Sequence, residues 1–268
     1  MFKKILVPLL DGAFDPVALK AALSMACRYN AHVAAFHLGE DPSSASDGAA
    51  SRMARSRFVA AATAFGVPIE DGRDVPTAAS ASWHDASLSF PAEIGLAVRS
   101  ADLVVFSADT IDPHSLLGSI LQSTLLDSGH PVLLVPGRCT TPFGRRVAVA
   151  WNGDPEARHA TDGGLPLLQR ADAIVVLCDP VVSKDPASMR RLQDFLASHR
   201  LDAEIVTLGS RNRGTAQALV DRAKQLKADI LVMGAHPVPH RASHGNALRG
   251  TVTRNVIDHV EIPILMAS

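Results

Sequence analysis

The sequence is poor in cysteine and close to electrically neutral. It contains 3 cysteines in 268 residues, Cys27, Cys139 and Cys178, which lie far apart and show no paired spacing. The formal net charge is −1 and the pI is about 6.8. Without a basic excess there is no electrostatic case for a nucleic acid partner or a membrane surface. We therefore expect reduced thiols and neither kind of partner.

Long apolar runs are also missing. No stretch approaches the roughly 18 apolar residues that a membrane span requires. Pro8 and Asp11 interrupt the apolar start of the chain, so it lacks the pattern of a signal peptide. Apolar residues make up 47% of the chain and charged residues 20%, which is typical of a globular protein with a substantial core. These features predict a cytoplasmic protein.

Residues 228–268 have the pattern of a strand, a loop, a helix and a second strand. Ile230–Met233 is a short, unbroken apolar run, as expected of a strand that is buried on both faces. Gly250 and Thr251 open a helical pattern, and a last apolar run follows Pro263. This order predicts one right-handed crossover of a parallel sheet. The free N–H groups at the start of its helix predict an anion site.

The same unit occurs earlier in the chain. Residues 101–107 match residues 228–234, and in both copies a glycine–hydroxyl pair precedes the proline of the final strand by 13 positions. The repeat predicts an α/β fold of two tandem doubly wound domains, each with a five-stranded parallel sheet flanked by helices. We place the domains at residues 1–137 and 145–268, with a linker at residues 138–144.

Apolar periodicity predicts the individual elements. The predicted strands are residues 4–10, 31–38, 80–86, 102–106, 131–135, 146–151, 173–178, 203–208, 230–233 and 264–266. The predicted helices are one that starts at Asp15 and those at residues 49–65, 91–100, 115–127, 155–170, 186–200, 215–227 and 250–259. The strands at residues 131–135 and 263–267 are apolar and terminal, and an uncovered edge of that kind invites pairing. We therefore expect the two halves to meet there as an intramolecular pseudo-dimer.

At this point the sequence resembles the universal stress protein family in its tandem two-domain bacterial form. The resemblance covers nearly the whole chain and rests on residues 2–8, 80–83, 129–132, 149–153, 165–168 and 250–254. It implies a non-catalytic stress-response protein with the doubly wound fold. It also implies that ATP binds at the C-terminal end of the sheet, as in many members, through a Gly-x2-Gly-x9-Gly-Ser/Thr loop. In the family, an acidic residue after the first strand faces the adenosine.

This sequence departs from the family motif in both halves. In the second half, Pro237 stands at the middle glycine, the loop is longer, and Asn152 replaces the acidic residue. In the first half, Ser107 and Thr110 replace the first two glycines, although Asp11 retains the acid. Glycine lets the backbone approach phosphate oxygens closely, whereas proline has no N–H to donate. Any nucleotide is therefore expected in the second half only.

The resemblance assigns the candidate nucleotide site residue by residue. Its members are Ala150, Asn152, Met233, Gly234, Gly250, Thr251, Val252 and Thr253. The alternative is that Gly234 and Gly250 serve only tight packing and the start of a helix. The ligand of the site would be ATP or another adenine nucleotide.

Other candidate chemistry has weaker support in the sequence. His236, His240 and His244 recur at the spacing of a helical metal site, but Pro237 and Pro239 argue against a helix there, so we expect no metal. The chain has no Walker-type lysine, so we expect no ATP hydrolase and no catalytic residue. Two hypotheses remain, a nucleotide-responsive module and a nucleotide-independent scaffold that acts through protein association or another small ligand. A homodimer is left open.

Overall fold

One mostly parallel sheet with helices on both faces forms the molecule. The structure is a computed structural model and describes residues 1–10, 16–39, 47–70, 77–87, 91–112, 114–139, 142–209, 216–235 and 260–268. Within these residues the sheet has 10 strands, in the order β3-β2-β1-β4-β5-β10-β9-β6-β7-β8. The predicted α/β class and doubly wound strand order are confirmed in each half. Among the described helices, none is both long and apolar enough to cross a membrane.

The elements follow the chain in two similar series. The strands are β1 (Lys4–Leu10), β2 (His32–Gly39), β3 (Ser80–Ser87), β4 (Leu103–Ser107), β5 (Val132–Val135), β6 (Arg146–Trp151), β7 (Ala173–Cys178), β8 (Glu204–Thr207), β9 (Ile230–Gly234) and β10 (Ile264–Ala267). The described helices are α1 (Pro16–Tyr29), α2 (Asp47–Ala64), α3 (Pro91–Arg99), α4 (Leu116–Ser123), α5 (Pro155–Gly163), α6 (Leu165–Leu168), α7 (Pro186–Ser198) and α8 (Ala216–Gln225).

The two halves join through their terminal strands. β5 and β10 pair antiparallel, with Leu133 opposite Leu265 and Leu134 opposite Ile264. Both strands are buried along their whole length because they are apolar on both faces. The expectation that these strands meet is confirmed, and the two predicted five-stranded sheets are in fact one continuous sheet. Because the pairing is antiparallel, strands β1–β5 run in one direction and strands β6–β10 in the other. The C-terminal ends of the two sets of strands therefore lie on opposite sides of the molecule.

Apolar residues fill the space on both faces of the sheet. Helices α1, α2, α5, α6 and α7 contribute to the hydrophobic cluster on one face. Helices α3, α4 and α8 contribute to the cluster on the other face. The stripe of α1 that faces the sheet is rich in alanine, and Ala18, Ala22 and Ala26 are buried there. Small side chains let this helix lie close to the sheet, where it packs against β1 and β4.

A repeated aspartate holds the start of the first strand in each half. The carboxylate of Asp102 accepts hydrogen bonds from the backbone N–H groups of Lys3 and Lys4, at 2.7 and 2.9 Å. In the second half, Asp229 accepts from the N–H groups of residues 144–146, at 2.9 to 3.2 Å. Hydrogen bonds to a charged acceptor are stronger than neutral ones. This shared role explains why the Ala-Asp pair occurs in both copies of the repeat.

A second contact between the halves involves two arginines. Arg28, at the end of α1, donates to the carbonyl oxygens of Phe143 and Gly144, at 2.8 and 3.1 Å. Arg170 donates in turn to the carbonyl oxygen of Arg28. Both guanidinium groups lie over the ring of Tyr29, with the guanidinium carbons 5.8 and 5.0 Å from its centroid. The end of the linker is thereby tied to both halves.

One predicted helix is wrong in its extent, and another is confirmed in its extent but ends in a π-helical turn. The helix predicted at residues 155–170 is divided into α5 and α6 at Gly163–Gly164, and Pro166 lacks the N–H that a continuous helix would need. The helix predicted at residues 115–127 ends at Ser123 and continues as a π-turn over Thr124–Ser128. The final predicted helix, at residues 250–259, lies outside the described residues. The boundaries of the other described elements agree with the prediction to within a few residues.

A buried histidine crosslinks two strands in the first half. His32 is 3% exposed, and its two ring nitrogens lie 2.8 Å from the hydroxyl oxygens of Ser80 and Ser82 on β3. Burial, together with the nearby charges of Lys4 and His84, lowers the pKa of His32 from 6.5 to about 4. The imidazole is therefore neutral in the folded protein near pH 7.

Acid should destabilise the protein through His32. Between pH 6.5 and pH 4 the unfolded chain binds a proton at this residue that the folded chain does not bind. Stability is therefore complete above pH 6.5 and falls by about 3 kcal/mol as the pH approaches 4. Urea unfolding of the wild type and of His32→Gln across this range would measure the effect, since the variant should lose this part of the slope. Parallel pH profiles for the two proteins would contradict it.

Candidate functional site

The strand order of the second half changes direction at a switch point between β6 and β9. Strand β6 lies between β7 and β9, and helix α5, which follows β6, packs on one face of the sheet. The connection that follows β9 lies outside the described residues. In doubly wound sheets ligands bind at such a switch point. Val149 and Val232 are paired just before these strand ends. The sequence-predicted residues Ala150 and Asn152 therefore lie beside Met233 and Gly234.

A tight turn follows β6. Asn152 is exposed, and its side-chain N–H donates to a carboxylate oxygen of Asp154 at 2.8 Å. Its side-chain oxygen accepts from the backbone N–H of Asp154 at 3.2 Å. Gly153 has a φ of 80°, and a Cβ at this position would lie 2.6 Å from the hydroxyl oxygen of Ser188. The turn therefore requires glycine both for its backbone conformation and for its close approach to α7.

Gly234 ends β9 against the first turn of α5. A Cβ at Gly234 would lie 2.7 Å from the backbone N of Ala157 and 2.7 Å from the backbone carbonyl carbon of Glu156. These atoms belong to the helix backbone, so they cannot move aside as a flexible side chain would. The close approach is an observation in favour of the packing role that the sequence left open for this glycine. It does not exclude ligand contact by the Gly234 backbone.

Four of the eight predicted site residues fall within the described structure. Ala150 is half-buried, Asn152 is exposed, and Gly234 is half-buried. The side chain of Met233 belongs to the core and is 3% exposed, so this residue can offer a ligand only its backbone. Gly250, Thr251, Val252 and Thr253 lie outside the described residues, as do the alternative metal ligands His236, His240 and His244.

Acidic side chains surround the end of β6. Asp154 is at the N-cap position of α5 and Glu156 lies in its first turn, where negative charge interacts favourably with the helix dipole. The sequence analysis missed Asp179, which directly follows β7. Its backbone N–H donates to the carbonyl oxygen of Trp151 at 3.0 Å, and its carboxylate accepts from the N–H of Val181 at 2.7 Å. A carboxylate that directly follows a buried strand next to β6 was the signal that could have identified it.

Two polar side-chain atoms near this turn are buried without a hydrogen-bond partner among the described residues. They are the indole nitrogen of Trp151 and the hydroxyl oxygen of Ser188. Trp151 is 3% exposed and Ser188 is 2% exposed. An unsatisfied buried polar group is costly, so such groups commonly pair with a water molecule or a ligand. Trp151 is the last residue of β6, and Ser188 lies in α7 beside Gly153 of the turn that follows β6.

The equivalent region of the first half is occupied by the protein's own groups. The hydroxyl of Ser115 accepts from the backbone N–H of Gly118 at 3.1 Å, which satisfies a donor at the start of α4. The carboxylate of Asp109 occupies the position that a Cβ of Gly137 would take. Ser107 is buried. Asp11, the retained acid of this half, lies outside the described residues.

Thiol chemistry is disfavoured at the site. Cys178 ends β7 and is buried, and burial together with the charge of Asp179 raises its pKa to about 11. Burial and the charge of Asp229 raise the pKa of Cys139 to about 11 as well. Both side chains are therefore neutral thiols near pH 7, whereas the thiolate is the nucleophilic form.

The fold is that of a doubly wound α/β protein with a switch point between β6 and β9 in its second half. Residues 144–268 match the model of the universal stress protein family. The second half of the chain therefore resembles this family in sequence, and the fold has the same strand order in both halves. No curated protein matches the chain.

Solved structures match nearly the full length of the chain. A universal stress protein of Archaeoglobus fulgidus DSM 4304 is 14% identical, covers 99% of this chain and 98% of its own, and has a TM-score of 0.66. A functionally unknown protein of Pseudomonas aeruginosa PAO1 is 18% identical, with 99% and 92% covered and a TM-score of 0.59. A putative universal stress protein of Pseudomonas aeruginosa UCBPP-PA14 is 19% identical, with 99% and 93% covered and a TM-score of 0.55. At these identities the similarity shows a shared fold.

Replacing Gly234 by alanine should destabilise the protein. The added methyl group would push against the backbone of α5, so we expect a loss of about 1–3 kcal/mol in the free energy of unfolding, as for other overpacked sites. Gly95→Ala is the matched control, because nothing lies within 4 Å of a Cβ there. Gly95 is inside α3, so alanine should stabilise the protein there by about 0.5–1 kcal/mol. Equal unfolding free energies for the two variants would rule out the packing role of Gly234.

Proposed function

We propose that the protein is a non-catalytic, cytoplasmic stress-response module that binds an adenine nucleotide in its second half. In this proposal the nucleotide changes the affinity for a protein partner and is not consumed. The family resemblance supplies the ligand class. The observation that carries the proposal is the pair of buried polar groups without a hydrogen-bond partner, among the described residues, near the turn after β6. They are the indole nitrogen of Trp151 and the hydroxyl of Ser188, and a bound ligand would supply a partner for such groups.

The charge distribution supports one orientation of the nucleotide. Asp154, Glu156 and Asp179 lie around the end of β6, and carboxylates there accept hydrogen bonds but repel phosphate. The adenosine would therefore lie at the end of β6. The phosphates would lie towards the glycine-threonine pair at Gly250 and Thr251, where the sequence predicts the start of a helix. His236, His240 and Arg241 would add positive charge on the phosphate side.

A nucleotide-independent scaffold is the second candidate, and two observations favour it. Gly234 is needed for the packing of α5 whether or not a ligand binds. The side-chain amide of Asn152 is already engaged with Asp154 on both its nitrogen and its oxygen. In that reading the second half would act through protein association or another small ligand.

The nucleotide proposal predicts that a carboxylate at the phosphate side of the second half prevents binding. Thr251→Asp should weaken ATP binding by at least about tenfold, because an added negative charge repels the phosphates. An aspartate near a helix start is compatible with folding. Isothermal titration calorimetry of the full chain with ATP would measure the change.

Ser119→Asp is the matched control for this experiment. Ser119 is the counterpart of Thr251 in the repeat, it is exposed, and it lies in the first turn of α4. The control should leave ATP binding unchanged. Loss of binding in the Ser119 variant would contradict the assignment to the second half. No heat of binding from the wild type at millimolar ATP would favour the scaffold.

A further inference from the structure

Strand β8 is an open edge of the sheet. It has one strand neighbour, β7, and it stands last in the strand order. Glu204, Ile205 and Thr207 are exposed, and Val206 is half-buried. The N–H of Leu208 donates to the carbonyl oxygen of Cys178 on β7. Because backbone direction alternates along a strand, the backbone N–H and C=O of Val206 also point towards β7. The backbone groups of Ile205 and Thr207 therefore point away from the sheet. Among the described residues, nothing pairs with that outer row.

The opposite edge of the sheet, strand β3, is partly covered by another segment of the chain. Ala81 on β3 donates to the carbonyl oxygen of Pro68 and accepts from the N–H of Glu70, at 2.8 and 2.7 Å. Residues 68–70 thus cover the first part of that edge. Within the described chain, β8 has no such covering segment. It also lacks the proline and lysine residues that commonly block an edge strand.

We propose that β8 pairs with β8 of a second copy of this chain. The two strands run antiparallel, and a twofold axis at Val206 relates them. In an antiparallel pair, residues that direct their backbone groups outward must oppose residues that do the same. This requirement is met when Ile205 of each copy opposes Thr207 of the other. Each such pair exchanges two hydrogen bonds, so the symmetric joint has about four. The ten-stranded sheet then continues into its copy.

The side chains of β8 are complementary to themselves in this register. Val206 opposes Val206 of the second copy, at the close spacing of a pair without hydrogen bonds. Glu204 opposes Leu208, so no like charges face each other across the joint. A carboxylate oxygen of Glu204 lies 3.7 Å from a guanidinium nitrogen of Arg146 in its own chain, and this positive charge partly offsets the negative charge at the joint. Ile205 is 37% exposed and would be covered by Thr207 of the copy.

The symmetry of the proposed joint limits the size of the assembly. An isologous β8–β8 contact closes after two copies. A joint between β8 of one copy and β3 of the next would instead be heterologous and could extend into a filament. The joint has only about four hydrogen bonds, so we expect a dimer whose population depends on protein concentration.

Cysteine cross-linking tests the register directly. In a Cys27→Ser background, Val206→Cys places two thiols at the axis, and we expect a disulfide-linked dimer under mild oxidation. Glu204→Cys is the matched control on the same strand. In the proposed register its two thiols are about 13 Å apart, so it should not cross-link. Equal cross-linking of the two variants, or cross-linking by His84→Cys on β3 in place of Val206→Cys, would overturn the proposal.

Sedimentation of the full chain tests the hydrogen bonds. Ile205→Pro removes an outward donor from each copy and leaves the bonds between β7 and β8 intact. Two of about four bonds are lost, so the dimer dissociation constant should rise roughly thirtyfold. Thermal unfolding of the variant as a monomer would show that the fold is retained. A wild type that is monomeric at every concentration, or a dimer that Ile205→Pro leaves unchanged, would overturn the proposal.

Discussion

The antiparallel pairing of β5 with β10 is the contact on which the rest of the molecule depends. Each strand is apolar on both faces and is the last strand of its half, so either half alone would expose an edge that favours association. Joining the two edges within one chain removes this problem. Because this pairing is antiparallel, the C-terminal strand ends of the two halves also lie on opposite sides of the molecule. The two regions that could bind a ligand are therefore well separated.

This separation explains how the halves can differ so much at their strand ends. The first half must still cover β10 and supply its share of the core, because β10 pairs with β5 along its length. Its own strand ends are free of that requirement. There the hydroxyl of Ser115 accepts a hydrogen bond from the N–H of Gly118. The carboxylate of Asp109 lies where a Cβ of Gly137 would be. The first half thus retains its structural role without the glycines that nucleotide binding needs.

The sequence predicted the strands well because buried parallel strands are short apolar runs, and the repeat identified the two strands that meet. The periodicity missed the break at Gly163–Gly164, although Pro166 is a local signal for it, and the sequence could not show the tertiary contact at Gly163. A Cβ at Gly163 would lie 2.8 Å from a side-chain carbon of Pro131 in the other half. The arginine contacts across Tyr29 were missed for the same reason, since Arg28 and Arg170 are far apart in sequence. At the site, the family motif identified Asn152 and Gly234, but their partners are visible only in the fold.

Close packing fixes the backbone at the described ends of β6 and β9. Gly153 combines a left-handed backbone with close contact to Ser188, and Gly234 lies against the backbone of α5. A rigid backbone at these strand ends would reduce the entropic cost of binding a ligand. The same rigidity means that packing alone would preserve these glycines if binding were lost. The two glycines therefore cannot distinguish a nucleotide module from a scaffold, whereas a charge added at Thr251 can, because it would repel the phosphates of a bound nucleotide.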